Sequence, residues 1–210
     1  MIYAIIDRAA AQRAGHDPLD VVRAACDAGV TLFQWREKAA TGAQLHAFGQ
    51  SLITTLSPYG ARLLVNGRAD IARAIGAAGV HRPGDGLPIA ALRAVMGAAA
   101  GDTLVFASAH SIDEACALAA QGADAVVLSP IFETPSKPGY GPALGLTYLK
   151  AACQAVSAPI YALGGIRPED VAGVLDAGAA GAAVLGGIFA AAQPGDAAAA
   201  YVRSARQRVR

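Results

Sequence analysis

The sequence predicts an α/β fold, a single-domain (β/α)8 TIM barrel spanning residues 1–210, and three observations carry that expectation. The first is the stretch Pro159-Ile-Tyr-Ala-Leu-Gly-Gly-Ile166 followed by Arg167-Pro168-Glu169-Asp170. A short apolar run, two glycines and a proline in the first helical turn read as strand, tight turn and helix start. The second is its near-repeat twenty residues later, Ala183-Val-Leu-Gly-Gly-Ile-Phe189. Bare glycine amides at a helix start suit an anion, and paired cradles after strands 7 and 8 are the phosphate site of such barrels. One Gly-Gly alone reads as a tight turn; the matched pair, Gly164, Gly165, Gly186 and Gly187, reads as phosphate-binding. The third is a rhythm in which Asp27-Ala-Gly-Val, Ala77-Ala-Gly-Val, Gln121-Gly-Ala-Asp and Asp176-Ala-Gly-Ala each close a helix and open an apolar run. They precede strands 2, 4, 6 and 8, as alternating units closing into a barrel require. An open doubly wound sheet would carry its glycine-rich loop after the first strand, and this chain has none there.

The elements follow in order. Strand 1 is read at 2–6, a loop at 8–17, and a helix from Pro18 to 28, stopped by Gly29. Strand 2 at 30–35 delivers Gln34, Arg36 and Lys38 around its end. Thr41 N-caps a helix that runs to about 56, where Ser57-Pro58 breaks it. Strand 3 at 62–65 is tipped by Asn66-Gly67-Arg68 and followed by a helix at 69–77. Strand 4 at 79–81 meets the loop Arg82-Pro-Gly-Asp-Gly86 and a helix at 88–96. Strand 5 at 103–107 leads to Ser108-Ala-His-Ser111. Strand 6 at 125–128 opens the longest loop, 129–145, and a helix at 146–156. Strand 7 and a helix at 168–177 come next, then strand 8 and a final helix at 196–208.

Bulk properties narrow the function classes. A chain of 210 residues with 54% hydrophobic residues can bury one sizeable core. A net charge of +1 with scattered basic residues predicts no nucleic-acid surface. The basic tail Arg203-Ser-Ala-Arg-Gln-Arg-Val-Arg210 reads as cations in the last turn of a helix. Cys26, Cys116 and Cys153 have no ligand partners at metal spacing and read as reduced thiols, which suits a cytoplasmic protein. The opening run at 1–6 reads as a strand, too short for a signal peptide and without its charged start, and no apolar run of membrane-spanning length is uninterrupted, so no membrane partner is expected.

In a barrel the C-terminal strand ends converge on one face. The polar residues gathered there are Gln34, Arg36, Lys38, Asn66, Arg68, His81, Asp85, His110, Ser129, Thr134 and Lys137. Arg36 and Lys38 leave strand 2 together and suit an anionic ligand, or a loop ion pair with Glu37. His110, between a buried strand and a helix start, reads either as a structural histidine bonding the backbone or, as the strand 5 histidine of a phosphate-binding barrel, as the acid/base candidate, because imidazole titrates near neutral pH. His81 is intermediate and can instead point into the barrel, while His16 and His46 read as surface residues. Lys137 sits in the proline-stiffened loop Phe132-Glu-Thr-Pro-Ser-Lys-Pro-Gly139, whose length suits a lid.

Taken together these residues resemble the thiamine phosphate synthase superfamily. Gln34-Trp-Arg-Glu-Lys38 resembles its Q-x-R-E-K signature. Val65-Asn66, Ser108-Ala-His110, Ser129-Pro-Ile-Phe132 with Lys137, and Leu163-Gly-Gly-Ile166 fall in the family's order over nearly the whole chain. The resemblance implies a phosphorylated thiazole as small-molecule ligand and is compatible with an oligomer. The superfamily has two enzyme branches. The synthase couples a pyrimidine pyrophosphate to a thiazole phosphate and needs Mg²⁺, held by an Asp directly after the strand 3 Asn and another in the strand 4 loop. Here the first position is Gly67, leaving Asp85 as the metal candidate under that reading. The family's strand 8 Ser is replaced by Gly186.

The other branch, the TenI-like thiazole tautomerase, aromatises a thiazole carboxylate phosphate without metal or cofactor. Asn66-Gly-Arg-Ala-Asp-Ile71 and Phe132-Glu-Thr134 resemble that branch, and its catalytic histidine matches His110. The resemblance therefore implies a tautomerase, with the synthase as the alternative and a non-catalytic thiazole or thiamine phosphate binder as a third reading. Arg36 and Lys38 fit the synthase's pyrophosphate contacts. Under the main reading His110 moves the proton, and the four glycines hold the phosphate. Gln34, Arg36, Lys38, Asn66, Thr134 and Lys137 line the substrate.

Overall fold

Alternation along each strand decides what the sheet does with its side chains. A computed structural model describes residues 1–37, 40–97, 103–133 and 142–207. Its strands are β1 (Ile2–Ile6), β2 (Leu32–Trp35), β3 (Arg62–Asn66), β4 (Gly79–Arg82), β5 (Leu104–Ala109), β6 (Ala125–Leu128), β7 (Ile160–Leu163) and β8 (Gly181–Val184). They form a closed barrel in sequence order, with every neighbouring pair parallel. The helices are α1 (Arg8–Arg13), α2 (Pro18–Asp27), α3 (Gly42–Leu56), α4 (Ala69–Ile75), α5 (Ile89–Met96), α6 (Ile112–Ala120), α7 (Gly145–Ala155), α8 (Val171–Asp176), α9 (Gly186–Phe189) and α10 (Pro194–Arg206).

Successive strand residues face opposite sides of a sheet. The register pairs Tyr3 with both Leu32 and Ala183, and Leu64 with Gly79, so these positions share the inner face. The inward cluster is aromatic. The rings of Tyr3, Phe106 and Tyr161 meet at centroid distances of 5.3 to 5.8 Å and plug the lower barrel. The outward positions, Ala4, Ile6, Phe33, Trp35, Val80 and Val126 among them, form the larger core under the helices. Both faces of a parallel sheet are thereby buried, which explains why its strands read as continuous apolar runs.

Several element boundaries differ from the sequence reading, each for a local reason. The loop expected at 8–17 contains α1. Asp7 accepts from the Ala10 amide at 2.9 Å and caps a run whose Ala10 and Ala11 are buried. Alanines give a weak periodic signal, so the cap was the available clue. Of the four helix-closing glycines, Gly29, Gly122 and Gly178 do take a positive φ, at 101°, 90° and 102°. The fourth, Gly79, lies within β4, where a Cβ would collide with the Leu104 carbonyl. Gly76 ends that helix instead, at φ 69°. The helix read at 168–177 begins as a 3-10 turn over Pro168–Asp170 before α8, and the short α9 after β8 was not foreseen.

Candidate functional site

Strand alternation carries the inward row above the aromatic plug to Gln34, Asn66, His81 and Ser108. Gln34 and His81 are each 3% exposed. The Tyr3 hydroxyl lies 3.3 Å from His81 Nδ1, and His81 Nε2 lies 2.8 Å from Ser108 Oγ. Gln34 also hydrogen-bonds the Tyr3 hydroxyl. Burial, followed by the nearby Arg36 guanidinium, pulls the His81 pKa down to about 3. Desolvation likewise raises Tyr3. His81 is thus a neutral element of a closed polar chain and does not titrate near pH 7. Of the two readings left open from the sequence, it takes the one in which the ring points into the barrel.

Arg36 is half-buried, and its charge acts on His81 against protonation of that ring. Among the described residues it makes no ion pair. Glu37, the expected loop partner, pairs instead with Arg8 at 3.7 Å, and Arg8 lies 4.1 Å from the Phe48 ring centroid. A half-buried guanidinium without a carboxylate is suited to an anionic ligand.

His110 follows directly on β5. Its backbone amide donates to Glu114 Oε2 at 2.7 Å, and Ser111 N-caps α6 by accepting from the Glu114 amide. Its Nδ1 lies 2.8 Å from the Ser129 carbonyl oxygen at the end of β6. A carbonyl only accepts, so Nδ1 carries the hydrogen. In the neutral ring Nε2 then holds the lone pair. Two strand ends thereby fix both the tautomer and the ring orientation of a partly exposed imidazole.

The glycine turns sit across the mouth from the β2–β4 edge. Gly164 and Gly165 take φ 103° and 65°. A Cβ on Gly164 would meet Pro130, and one on Gly165 would meet the Glu133 carbonyl. The Ile131 and Phe132 amides donate to the Leu163 and Gly164 carbonyls at 2.9 and 3.0 Å. The strand 7 glycines therefore also let the β6 loop approach. A bulky substitution at Gly165 would displace that loop as well as cover the amide, so Gly165→Val is no clean probe of phosphate. Gly186 and Gly187 open α9. A Cβ at Gly186 would meet nothing within 4 Å, whereas one at Gly187 would meet the Tyr201 hydroxyl. The first amides of a helix have no intrahelical acceptor, and a short extra helix after strand 8 is where such barrels hold phosphate.

Other candidates fall outside this geometry. Lys38, Thr134 and Lys137 lie outside the described residues. Asp85 is exposed in the β4 loop, whose carbonyls at Pro83, Gly84 and Leu87 accept from the Arg82 guanidinium. Gly67 has φ 69° and donates its amide to the His81 carbonyl at 2.9 Å. The two positions that the resemblance assigns to Mg²⁺ therefore supply one exposed carboxylate. No group of three His, Cys, Asp or Glu suited to a metal occurs among the described residues. This donor set does not fit the ion. His16, read as a surface residue, is partly buried and bonds the Ala191 carbonyl at 3.1 Å, whereas His46 is exposed on α3. Tyr3 and Tyr201 escaped the sequence reading. The alternation of β1 could have flagged Tyr3; nothing local flags Tyr201.

Fold and mouth together define a (β/α)8 barrel with an immobilised histidine and two glycine turns around one polar opening. Residues 2–188 match the family described as thiamine monophosphate synthase. A putative thiamine-phosphate synthase of Geobacter sulfurreducens is 38% identical over 201 residues, covering 96% of this chain and 92% of its own. The thiamine-phosphate synthase of Anaeromyxobacter dehalogenans is 42% identical over 192 residues, covering 91% and 84%. The solved thiamine phosphate pyrophosphorylase of Pyrococcus furiosus superposes with a TM-score of 0.86 at 27% identity, covering 98% and 95%. The chain belongs to the thiamine monophosphate synthase family. That membership places it among enzymes of thiamine biosynthesis, and the relatives' names favour the transferase over the expected isomerase. No helix among the described residues is long and apolar enough to cross a membrane.

Proposed function

We propose that this chain binds a phosphorylated thiazole and moves a proton on it, the tautomerase reaction, with His110 as the acid/base. The observation that supports this reading is the Nδ1 hydrogen bond to the Ser129 carbonyl, which places the neutral ring's lone pair on Nε2. In the proposed step Nε2 takes the proton from the ring carbon, and the C–H electron pair moves into the ring π system. The imidazolium exchanges that proton with solvent and then delivers one to the exocyclic carbon. Charge and oxidation state are unchanged overall. The amides around Gly164, Gly165, Gly186 and Gly187 hold the phosphate, and Arg36 faces the carboxylate. Gln34 and Asn66 line the opening, as do Lys38, Thr134 and Lys137 in the reading from sequence.

The second reading is the thiamine-phosphate synthase. The relatives' names favour it, and so does Arg36, whose charge suits a pyrophosphate equally well. Against it stands Gly67, which offers no side chain where that chemistry calls for a metal ligand. Purified protein decides between them. The tautomerase incorporates one solvent deuteron at the exocyclic carbon in D2O and keeps its rate in EDTA. Coupling of pyrimidine pyrophosphate to thiazole phosphate, dependent on added Mg²⁺, would overturn it. A non-catalytic binder would take up the aromatic product and do neither.

A further inference from the structure

Tyr201 stands on α10, remote in sequence from the mouth and unused by the proton transfer. Its side chain is 3% exposed. Its hydroxyl donates to the carbonyl of Ile166, the residue that closes the strand 7 glycine turn, at 2.9 Å. The same oxygen occupies the place where a Cβ on Gly187 would stand, and the ring Cζ lies 3.0 Å from that point. Gly187 does not take a positive φ, so its missing side chain answers a demand for room. One phenolic oxygen thus touches both turns, which come from different strands. Burial, and then the carboxylates of Glu169 and Asp170, push the phenol up to about 12, so it stays a donor at every working pH.

We propose that Tyr201 is a positioning residue for the substrate phosphate, its hydroxyl setting the separation of the strand 7 and strand 8 glycine turns. The proposal rests on the reading that these turns hold phosphate. Amide donors bind a phosphate oxygen only within a narrow range of distance and angle. Two turns that shift independently would lose part of that fit, and the bond to Ile166 couples them.

The test is Tyr201→Phe, which keeps the ring and removes the hydroxyl. Thiazole phosphate should bind about tenfold more weakly, the order expected for one lost hydrogen bond. The unphosphorylated thiazole alcohol should bind within about twofold of wild type, and KM should rise far more than kcat falls. Gly187→Ala should weaken phosphate binding on its own. Its effect should shrink in the Tyr201→Phe background, because the hydroxyl it displaces is gone. A Tyr201→Phe protein that melts earlier but binds both compounds as wild type does would overturn the proposal, as would additive effects of the two substitutions. Amide NMR of wild type titrated with inorganic phosphate separates the two levels. Unmoved Gly165 and Gly187 resonances remove the phosphate reading and this proposal with it; shifted resonances with a normal Tyr201→Phe remove only the role of Tyr201.

Discussion

Two histidines reach the inside of the mouth, and their partners give them opposite characters. His110 bonds the Ser129 carbonyl through Nδ1, so its neutral ring carries the lone pair on Nε2. His81 is sealed between Tyr3 and Ser108 and stays neutral. His110→Asn should therefore cost about 10²–10⁴-fold in tautomerase rate with little change in thiazole phosphate affinity, as loss of a proton carrier does. Steady-state kinetics and equilibrium binding on the same preparation check it. A fully active variant would end the proposal. His81 makes a separate prediction through its depressed pKa. The native ring stays neutral down to about pH 3, whereas the unfolded ring takes a proton below about 6.5. The unfolded state then binds the extra proton, so stability falls with pH across that window and is unaffected by this group above it. The slope is up to about 1.4 kcal/mol per pH unit. Urea melts of wild type and His81→Gln at pH 4.5 and 7 measure it, and the variant should lose this part of the acid sensitivity. At this scale the sequence placed His110 between a buried strand and a helix start, and there it stands, between β5 and α6. The sequence left His81 open, because only the Tyr3 and Ser108 partners show what burial does to it.

At the scale of elements, the sequence spoke wherever a cap or a branched apolar run marked a boundary. Thr41 was legible as an N-cap, and it closes a full capping box with Gln44 at the start of α3. Thr41→Ala should destabilise by about 1 kcal/mol, read as a lower urea midpoint with an unchanged m-value. The alanine-rich α1 and the four-residue α9 were not legible, since neither carries a periodic apolar stripe. A tie between elements was equally hidden. Arg93 of α5 donates to the Thr103 and Gly122 carbonyls and to Asp124, each at 2.8 Å, while Asp124 also accepts from the Val105 amide. Its partners lie ten to thirty-one positions away, beyond any local pattern. Arg93→Met keeps the aliphatic stem and removes the donors, and should cost about 2 kcal/mol in equilibrium unfolding.

For the whole molecule, closure of the sheet was foreseen from the repeated glycine turns and the alternation of elements. The fit at the seam was not. β8 returns to β1, and a Cβ on Gly181 would run into the Met1 carbonyl and the Tyr161 ring. Gly181→Val should therefore open the seam and lower stability by at least about 3 kcal/mol, with one cooperative unfolding transition at a lower midpoint. Phosphate affinity of whatever fraction remains folded should fall too, since β8 leads directly into α9, which opens with Gly186 and Gly187.

The interlocked rings of Tyr3, Phe106 and Tyr161 have a kinetic consequence. They fill the barrel below the polar row of Gln34, Asn66, His81 and Ser108. A ligand seated at the strand ends therefore comes and goes on the side where the βα loops lie, and a product held there blocks the next reactant until it departs.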